Sequence, residues 1–313
     1  MAASPVKRRG RVGQLLGHEI TWEPDDAEYP SLWTGLLGGP VPCLAQSRVF
    51  LDVGSYRTNL KPTYSITSEA NMTYAMSPWG PCFSSTHPTE ASFCHITGAA
   101  SRFKISTPLT VMWAGALYSG SVDNRCYMFL TDSKAGFPSL KWAGYILLWQ
   151  ETTEELFFCA SDNTQTTLLA TTSGMLGSSD IYTLDFASGG GWNVIVAAAS
   201  SEPFESDSTA AMWINGEWVG GSVSSGGISA VHGAARNSLW GGWGAGSVAT
   251  GGKHSMAACL MWNRYLRPDE IQLISSDPIA PFRRRTRTIA RIPSTRVVSL
   301  GGIVKRDRIV LAG

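Results

Sequence analysis

The sequence predicts an all-β protein, a two-sheet antiparallel sandwich with one short helix near its C-terminal end. Three observations carry that expectation. Charged residues make up only 16% of the 313-residue chain, against 33 Gly and 12 Trp, a balance that suits strands and turns better than solvated helices. From about 107 to 262, short β-branched and aromatic runs alternate with turn clusters, the pattern of a many-stranded sandwich. Within them, Asn215-Gly216 stands between apolar residues, a strong hairpin signal because a type I′ turn needs positive φ at both central positions.

The elements follow in order. "TPLTVMWAGALYSG" (107–120) is β-branched and aromatic and stops at Ser-Gly. "GYILLWQE" (144–151) and "ELFFCAS" (155–161) read as two strands joined by a polar turn, and "SDNTQ" then leads into "TTLLATTS". "GWNVIVAAAS" (191–200) has the small and branched residues of a strand covered on both faces. "AAMWINGEWVGG" (210–221) is the hairpin, and "SLWGGWGAG" supplies a further strand. In 255–262, Met256, Ala258, Leu260 and Trp262 alternate with Ala257, Cys259 and Met261. Both sets are apolar, so a central strand is expected, with the first set on one face and the second on the other.

A helix is expected at about 268–275. Pro268 suits its first position, where a fixed φ fits and the missing N–H costs nothing. Asp269 and Glu270 lie where the helix dipole favours negative charge. Ile271, Leu273 and Ile274 offer an apolar face, and Pro278 pushes its predecessor out of the α region.

Charge is unevenly distributed. The chain sums to +1, yet residues 1–12 carry +4 and 283–313 carry +8, leaving −11 on 13–282. An acidic body with two basic ends points to segments that dock on other surfaces. The expected organisation is an N-terminal arm (1–28), a sandwich (29–282) and a basic C-terminal arm (283–313). In that last arm Val297, Val298, Ile303 and Val304 flank Gly301-Gly302, which predicts paired strands around a glycine turn. Arg283, Arg284, Arg285, Arg287 and Arg291 are the candidate assembly residues, gripping acidic surface on a neighbouring subunit; a tail folded back on its own domain is the alternative. The run lacks the interleaved aromatics of a nucleic-acid stacking platform, so nucleic acid is not an expected partner.

No run of 18 apolar residues occurs, so no membrane span is expected. The start has basic residues without an apolar stretch behind them, so no cleaved secretion signal is expected either. The six cysteines lie far apart without a Cys-x-x-Cys pair. Buried free thiols are the expectation, with Cys82 and Cys94 the best disulfide candidates.

The segment "MWNRYLRPDEIQLISSDP" (261–278), taken with the preceding order of strands and the "MWINGEWVG" hairpin, resembles the C-terminal part of LamG-like (laminin G/concanavalin A-like) jelly-roll domains. The resemblance covers roughly 100–278 and extends more weakly to 29–55, which looks like the lead-in of phage LamG-like proteins. Arg267 departs from it, standing where the family has a Ser or similar cap, at a cost of about 1 kcal/mol. The resemblance implies a jelly roll that mostly binds sugars, proteins or calcium.

Enzyme chemistry finds little support. Glu23, Asp25 and Glu28 have the spacing of a glucanase carboxylate set, but Pro24 removes a ladder donor and the segment lacks strand alternation. Glu151, Glu154 and Glu155 fit a hairpin turn. No Gly-x-Ser-x-Gly, His-Glu-x-x-His or P-loop occurs. Calcium is the one cofactor the resemblance raises, through Asp123, Asp162, Asp185 or Asp207 in predicted turns, and no pair among them stands out.

Glycan binding would use Trp218, Trp240 and Trp243, the aromatics placed at loop tips. The functional expectation is a non-enzymatic virion structural protein of a tailed bacteriophage, a capsid decoration or fibre-like adhesion module assembled in the host cytoplasm. Its partners would be further copies and capsid or tail subunits. The alternative is a carbohydrate-binding lectin module, and the third reading a glycan hydrolase.

Overall fold

The computed structural model describes residues 20–21, 23–44, 72–85, 95–96, 108–117, 125–133, 143–150, 155–162, 166–171, 191–200, 210–220, 237–240, 254–285, 298–299 and 302–303. In chain order the strands are β1 (Leu36–Gly38), β2 (Met72–Ser77), β3 (Gly80–Ser85), β4 (His95–Ile96), β5 (Leu109–Leu117), β6 (Arg125–Ser133), β7 (Ala143–Gln150) and β8 (Glu155–Asp162). They continue with β9 (Thr166–Thr171), β10 (Asn193–Ala199), β11 (Ala210–Ile214), β12 (Glu217–Gly220), β13 (Asn237–Trp240), β14 (His254–Trp262), β15 (Val298–Ser299) and β16 (Gly302–Ile303). Helix α1 spans Pro268–Ser276.

Two antiparallel sheets form the sandwich. The eight-stranded sheet runs β12-β11-β10-β5-β14-β3-β2, with β1 added on β14. The six-stranded sheet runs β4-β13-β6-β7-β8-β9. This is the all-β jelly-roll architecture expected from the sequence. The strands read from "TPLTVMW", "GYILLW", "ELFFCAS", "NVIVAAA" and "HSMAACLMW" all form.

Between the sheets, Leu109, Val111 and Trp113 of β5 meet Tyr145, Leu147 and Trp149 of β7 and Leu156 and Phe158 of β8. Tyr145 and Phe158 stack with centroids 6.1 Å apart. Gly115 is needed here: a Cβ on it would lie 2.1 Å from the Ser255 carbonyl oxygen and 2.5 Å from the Trp113 ring.

The opposite face of the eight-stranded sheet is also covered. Met112 and Ala114 of β5, Val194 and Val196 of β10, and Leu260 and Trp262 of β14 pack under Leu32, Trp33, Val41, Ile271, Ile274 and Phe282. The eight-stranded sheet is therefore the middle of three layers, which is why β5, β10 and β14 are buried at every position and read as unbroken apolar runs.

One detail of β14 departs from the simple alternation. A register shift between Met256 and Ala258 places a bulge at Ala257. Met256 therefore joins Cys259 and Met261 between the sheets, while Ala257, Ala258, Leu260 and Trp262 face the third layer. A bulge adds one residue and so reverses the facing of everything before it.

The third layer is built from residues 20–44 together with 263–285. Ile20 bridges to Arg283 and Ala27 to Arg284. The Thr21 N–H donates to the Phe282 carbonyl, Glu28 N–H to Arg283 and Arg285 N–H to Asp26, each at 2.8 Å. Trp33 Nε1 donates to the Pro281 carbonyl at 2.5 Å, and Trp262 Nε1 to the Leu32 carbonyl at 2.7 Å. Residues on both sides of the expected boundaries at 28 and 283 thus pair across one layer.

Cys82 is a free, buried thiol, as are Cys43, Cys159 and Cys259, so the candidate disulfide from Cys82 to Cys94 is not formed. Beyond the sandwich, β15 and β16 pair through Val298↔Ile303 and Ser299↔Gly302. The C-terminal strand pair expected from the sequence is present.

Candidate functional site: an aromatic row at a sheet edge

The β11–β12 hairpin is held rigidly at its turn. Asn215 has φ 53° and Gly216 φ 88°, the left-handed pair that a two-residue hairpin turn demands. Asn215 Oδ1 accepts the Val194 N–H and Nδ2 donates to Asn193 Oδ1, both at 2.9 Å. Gln272 Nε2 of α1 donates to the Gly216 carbonyl at 2.5 Å. The turn is thereby tied to β10 on one side and to α1 on the other.

That anchoring fixes which way the tryptophans point. Met212 and Ile214 enter the core between the sheets, so Trp213 faces the other side, against the third layer. Trp213 pairs directly with Trp218 across the hairpin, which brings their Cβ atoms to about 5 Å. Trp213 also lies beside Tyr265, with ring centroids 6.2 Å apart and planes tilted by 42°. Trp218, Trp213 and Tyr265 form a row running inward from the edge strand β12. Trp213 and Tyr265 are half-buried, whereas Trp218 is 51% exposed.

Exposed polar residues flank Tyr265 in the chain and continue onto α1. Gln272 and Asn263 are exposed, and Arg267 donates to both carboxylate oxygens of Asp269 at 3.0 Å. The Arg267 hydrogen bonds hold the Asp269 carboxyl below its ordinary pKa. An amphipathic aromatic surface with a polar rim suits ligands that present an apolar face and hydroxyls together.

An ion-pair clamp fixes the backbone beside Tyr265, whose carbonyl accepts from Arg264 Nη1 at 3.3 Å. Arg264 bonds both Glu270 oxygens, Nη1 to Oε2 at 2.7 Å and Nη2 to Oε1 at 2.9 Å. It also donates from Nε to the Thr34 carbonyl at 2.6 Å and from Nη2 to the Ser31 carbonyl at 2.9 Å. Glu270 Oε2 accepts the Arg267 N–H at 3.0 Å, so the helix start is capped from inside. Arginine has no side-chain acceptor, and only this returning half of a capping box is made. Burial alone would raise the Glu270 pKa, but the bonds from Arg264 and the Arg267 N–H outweigh it and the carboxyl sits below its ordinary value.

Trp218 is the one of the three sequence candidates whose side chain is described. Trp240 closes β13 in the other sheet, paired with Phe129, and its side chain lies outside the described residues, as does all of Trp243. Trp218 and Trp240 therefore stand on different sheets. Trp213 and Tyr265 were not anticipated. The Trp213 signal was present, since residues equidistant from a two-residue turn face each other. Tyr265 reaches the row only through the path of the chain from β14 to α1.

Among the candidate assembly residues, Arg283 forms an ion pair with Asp277, and Arg284 Nη2 lies 3.5 Å from Asp26 Oδ2. Arg285 is exposed, and Arg287 and Arg291 lie outside the described residues. Glu23, Asp25 and Glu28 are exposed on and beside a 3-10 turn, Pro24–Asp26, rather than on a central strand. Asp162 ends β8, while Asp123, Asp185 and Asp207 lie outside the described residues.

No protein-family model matches the chain, and no curated protein matches it by sequence. Solved structures do. The binding domain of Paraclostridial mosquitocidal protein 1 superposes with a TM-score of 0.51 at 10% identity, over 77% of this chain and 52% of that one. The fold is shared with that domain. The botulinum neurotoxin type G receptor-binding domain follows at 0.49 and 10% identity, over 76% of this chain and 51% of that one. Trypanosoma rangeli sialidase in complex with sialic acid gives 0.47 and 12%, over 78% and 33%. The chain thus spans about a third of the sialidase and about half of each toxin domain.

Proposed function

We propose that this chain is a non-enzymatic, glycan-binding β-sandwich module, with the Trp218–Trp213–Tyr265 row as its sugar platform. The observation that carries the reading is the half-exposed Trp218 indole, on an anchored hairpin and directly opposite Trp213, whose own ring lies beside Tyr265. An exposed indole at a sheet edge gives up apolar area to water, and a pyranose ring stacking its C–H face on it removes that area. Gln272, Asn263 and the Arg267–Asp269 pair would supply hydrogen bonds to ring hydroxyls. A toxin binding domain of the same fold makes a recognition role physically reasonable, although the fold alone does not choose the ligand.

Glycan-array screening followed by calorimetry tests this. Trp218→Ala should lower affinity by about thirty-fold, the usual cost of about 2 kcal/mol for losing an aromatic anchor, while circular dichroism stays unchanged. Glycan binding of the wild-type strength by Trp218→Ala would refute the reading.

A second reading places this module on a tailed-phage virion. It is favoured by the pairing of residues 20–28 with 282–285, which roots both basic stretches at one place on the body. Co-sedimentation with particles, lost when the basic segments are neutralised, would support it. A chain never found in particles would end it.

A further inference from the structure

Among the described residues, the β15–β16 hairpin pairs with neither sheet, although Val298 and Ile303 stand opposite each other in it. A lone two-stranded hairpin is marginal in water at best, so its ladder edges and apolar pair call for a partner surface. Among the described strands, β2 is the outermost of the eight-stranded sheet on the side away from β12. On it Ala75 is exposed, and Met76 is 68% exposed, the largest value among the large hydrophobic residues described. A strand edge with an apolar side chain in water invites strand addition.

Charge identifies the occupant. The +4 and +8 of the terminal segments nearly balance the −11 between them. An external polyanion would meet that acidic body as well as the arms and be repelled by it, whereas another copy offers a matched acidic surface. The root of the C-terminal segment is fixed, because Arg283 and Arg284 are held by Asp277 and Asp26 and the Arg285 N–H by the Asp26 carbonyl. From Arg285 to Val298 the chain can reach at most about 45 Å, enough to cross to a neighbouring molecule.

We propose that the protein self-associates by passing its C-terminal hairpin to the β2 edge of a second copy, with the basic segment neutralising that copy's acidic body. An exchange of this kind is reciprocal and closes as a two-fold dimer. It would also present two aromatic rows together and raise avidity for a multivalent glycan without any new contact. The inference is independent of the glycan reading, since Trp218 takes no part in it.

Sedimentation of the full-length chain at low and high salt tests it, with two variants that leave the sandwich intact. Val298→Asp with Ile303→Asp removes the apolar pair of the hairpin, and Met76→Asp places a charge on the receiving edge. The wild type should dimerise, with the dimer weakening as salt rises. Each variant alone should weaken dimerisation at least ten-fold, while Trp218→Ala leaves it unchanged. Mixing the two variants should give a mixed dimer weaker than the wild type, because only one of its two exchanges, from the intact hairpin of one variant to the intact β2 edge of the other, is unimpaired. A monomeric wild type at tens of micromolar would overturn the proposal in favour of docking on the chain's own body. A wild type that purifies with nucleic acid and dimerises only through it would overturn it in favour of a polyanion partner. Dimers unaffected by either variant would place the interface elsewhere and also overturn it.

Discussion

Exchanging Glu270 for Gln would test the clamp that holds the third layer on the sandwich. Glu270 is 2% exposed and accepts bonds from Arg264 at 2.7 and 2.9 Å and from the Arg267 N–H at 3.0 Å. Glutamine keeps the volume, loses the charge and turns one acceptor into a donor aimed at a guanidinium. Breaking a buried pair costs about 3–5 kcal/mol. Arg264 is 22% exposed and keeps its Ser31 and Thr34 carbonyls, so the lower end, about 3 kcal/mol, is expected. For a chain of this size that corresponds to a fall in Tm of about 5–10 °C.

The pH dependence supplies a second handle. The folded Glu270 carboxyl lies below its ordinary pKa of 4.5. Its contribution is therefore fully present above that value and is lost as pH falls through the folded pKa. The gap between wild type and Glu270→Gln, read by urea denaturation, should be widest near neutrality and should narrow as pH falls below the ordinary value of 4.5. A double-mutant cycle with Arg264→Ala should give a coupling of about 2 kcal/mol. A gap under 0.5 kcal/mol, or one that stays constant down to pH 3, would refute the assignment of Glu270 and Arg264 as the clamp.

Other perturbations separate the core from the candidate site. Trp262→Ala should cost about 3–5 kcal/mol in urea unfolding, because Trp262 is fully buried and bonded to Leu32, whereas Trp218→Ala should change stability by less than about 0.5 kcal/mol. Gly115→Ala should destabilise by about 2–3 kcal/mol, since its Cβ would meet the Ser255 backbone oxygen; a neutral result would mean that β5 and β14 can separate there at little cost. Site-resolved alkylation at pH 7 should leave Cys82 and Cys159 unmodified in the folded protein, because burial pushes their thiol pKa values up to about 11 and about 12 and the thiolate is the reactive form. Rapid labelling of either would show that the protein opens at that strand.

The sandwich was readable in the sequence because its strands are buried on both faces, so β5, β10 and β14 appear as uninterrupted apolar runs. The Asn215-Gly216 turn and the Pro268 helix start were equally legible, since each depends on a local backbone requirement. The Ala257 bulge was not, because an extra residue in a strand apolar on both faces leaves no break in the pattern. The third layer was hidden for another reason. Its contacts join residues 20–44 to 262–285, and nothing local in "WEPDDAEYPSLW" announces a partner more than two hundred positions away. Of the candidate site, Trp218 could be singled out because it flanks a turn, while Tyr265 became a neighbour only through the tertiary path from β14 to α1.

The central claim, that the aromatic row meets a glycan, is tested most directly by following indole N–H signals of the labelled protein during titration with oligosaccharides. Trp218 is assigned as the signal missing from Trp218→Phe, and the buried Trp262 serves as an internal control. The account predicts a saturable shift of the Trp218 signal, with Trp262 unmoved. Saturable glycan binding that leaves Trp218 unshifted, or no binding of any glycan at millimolar concentration, would contradict it.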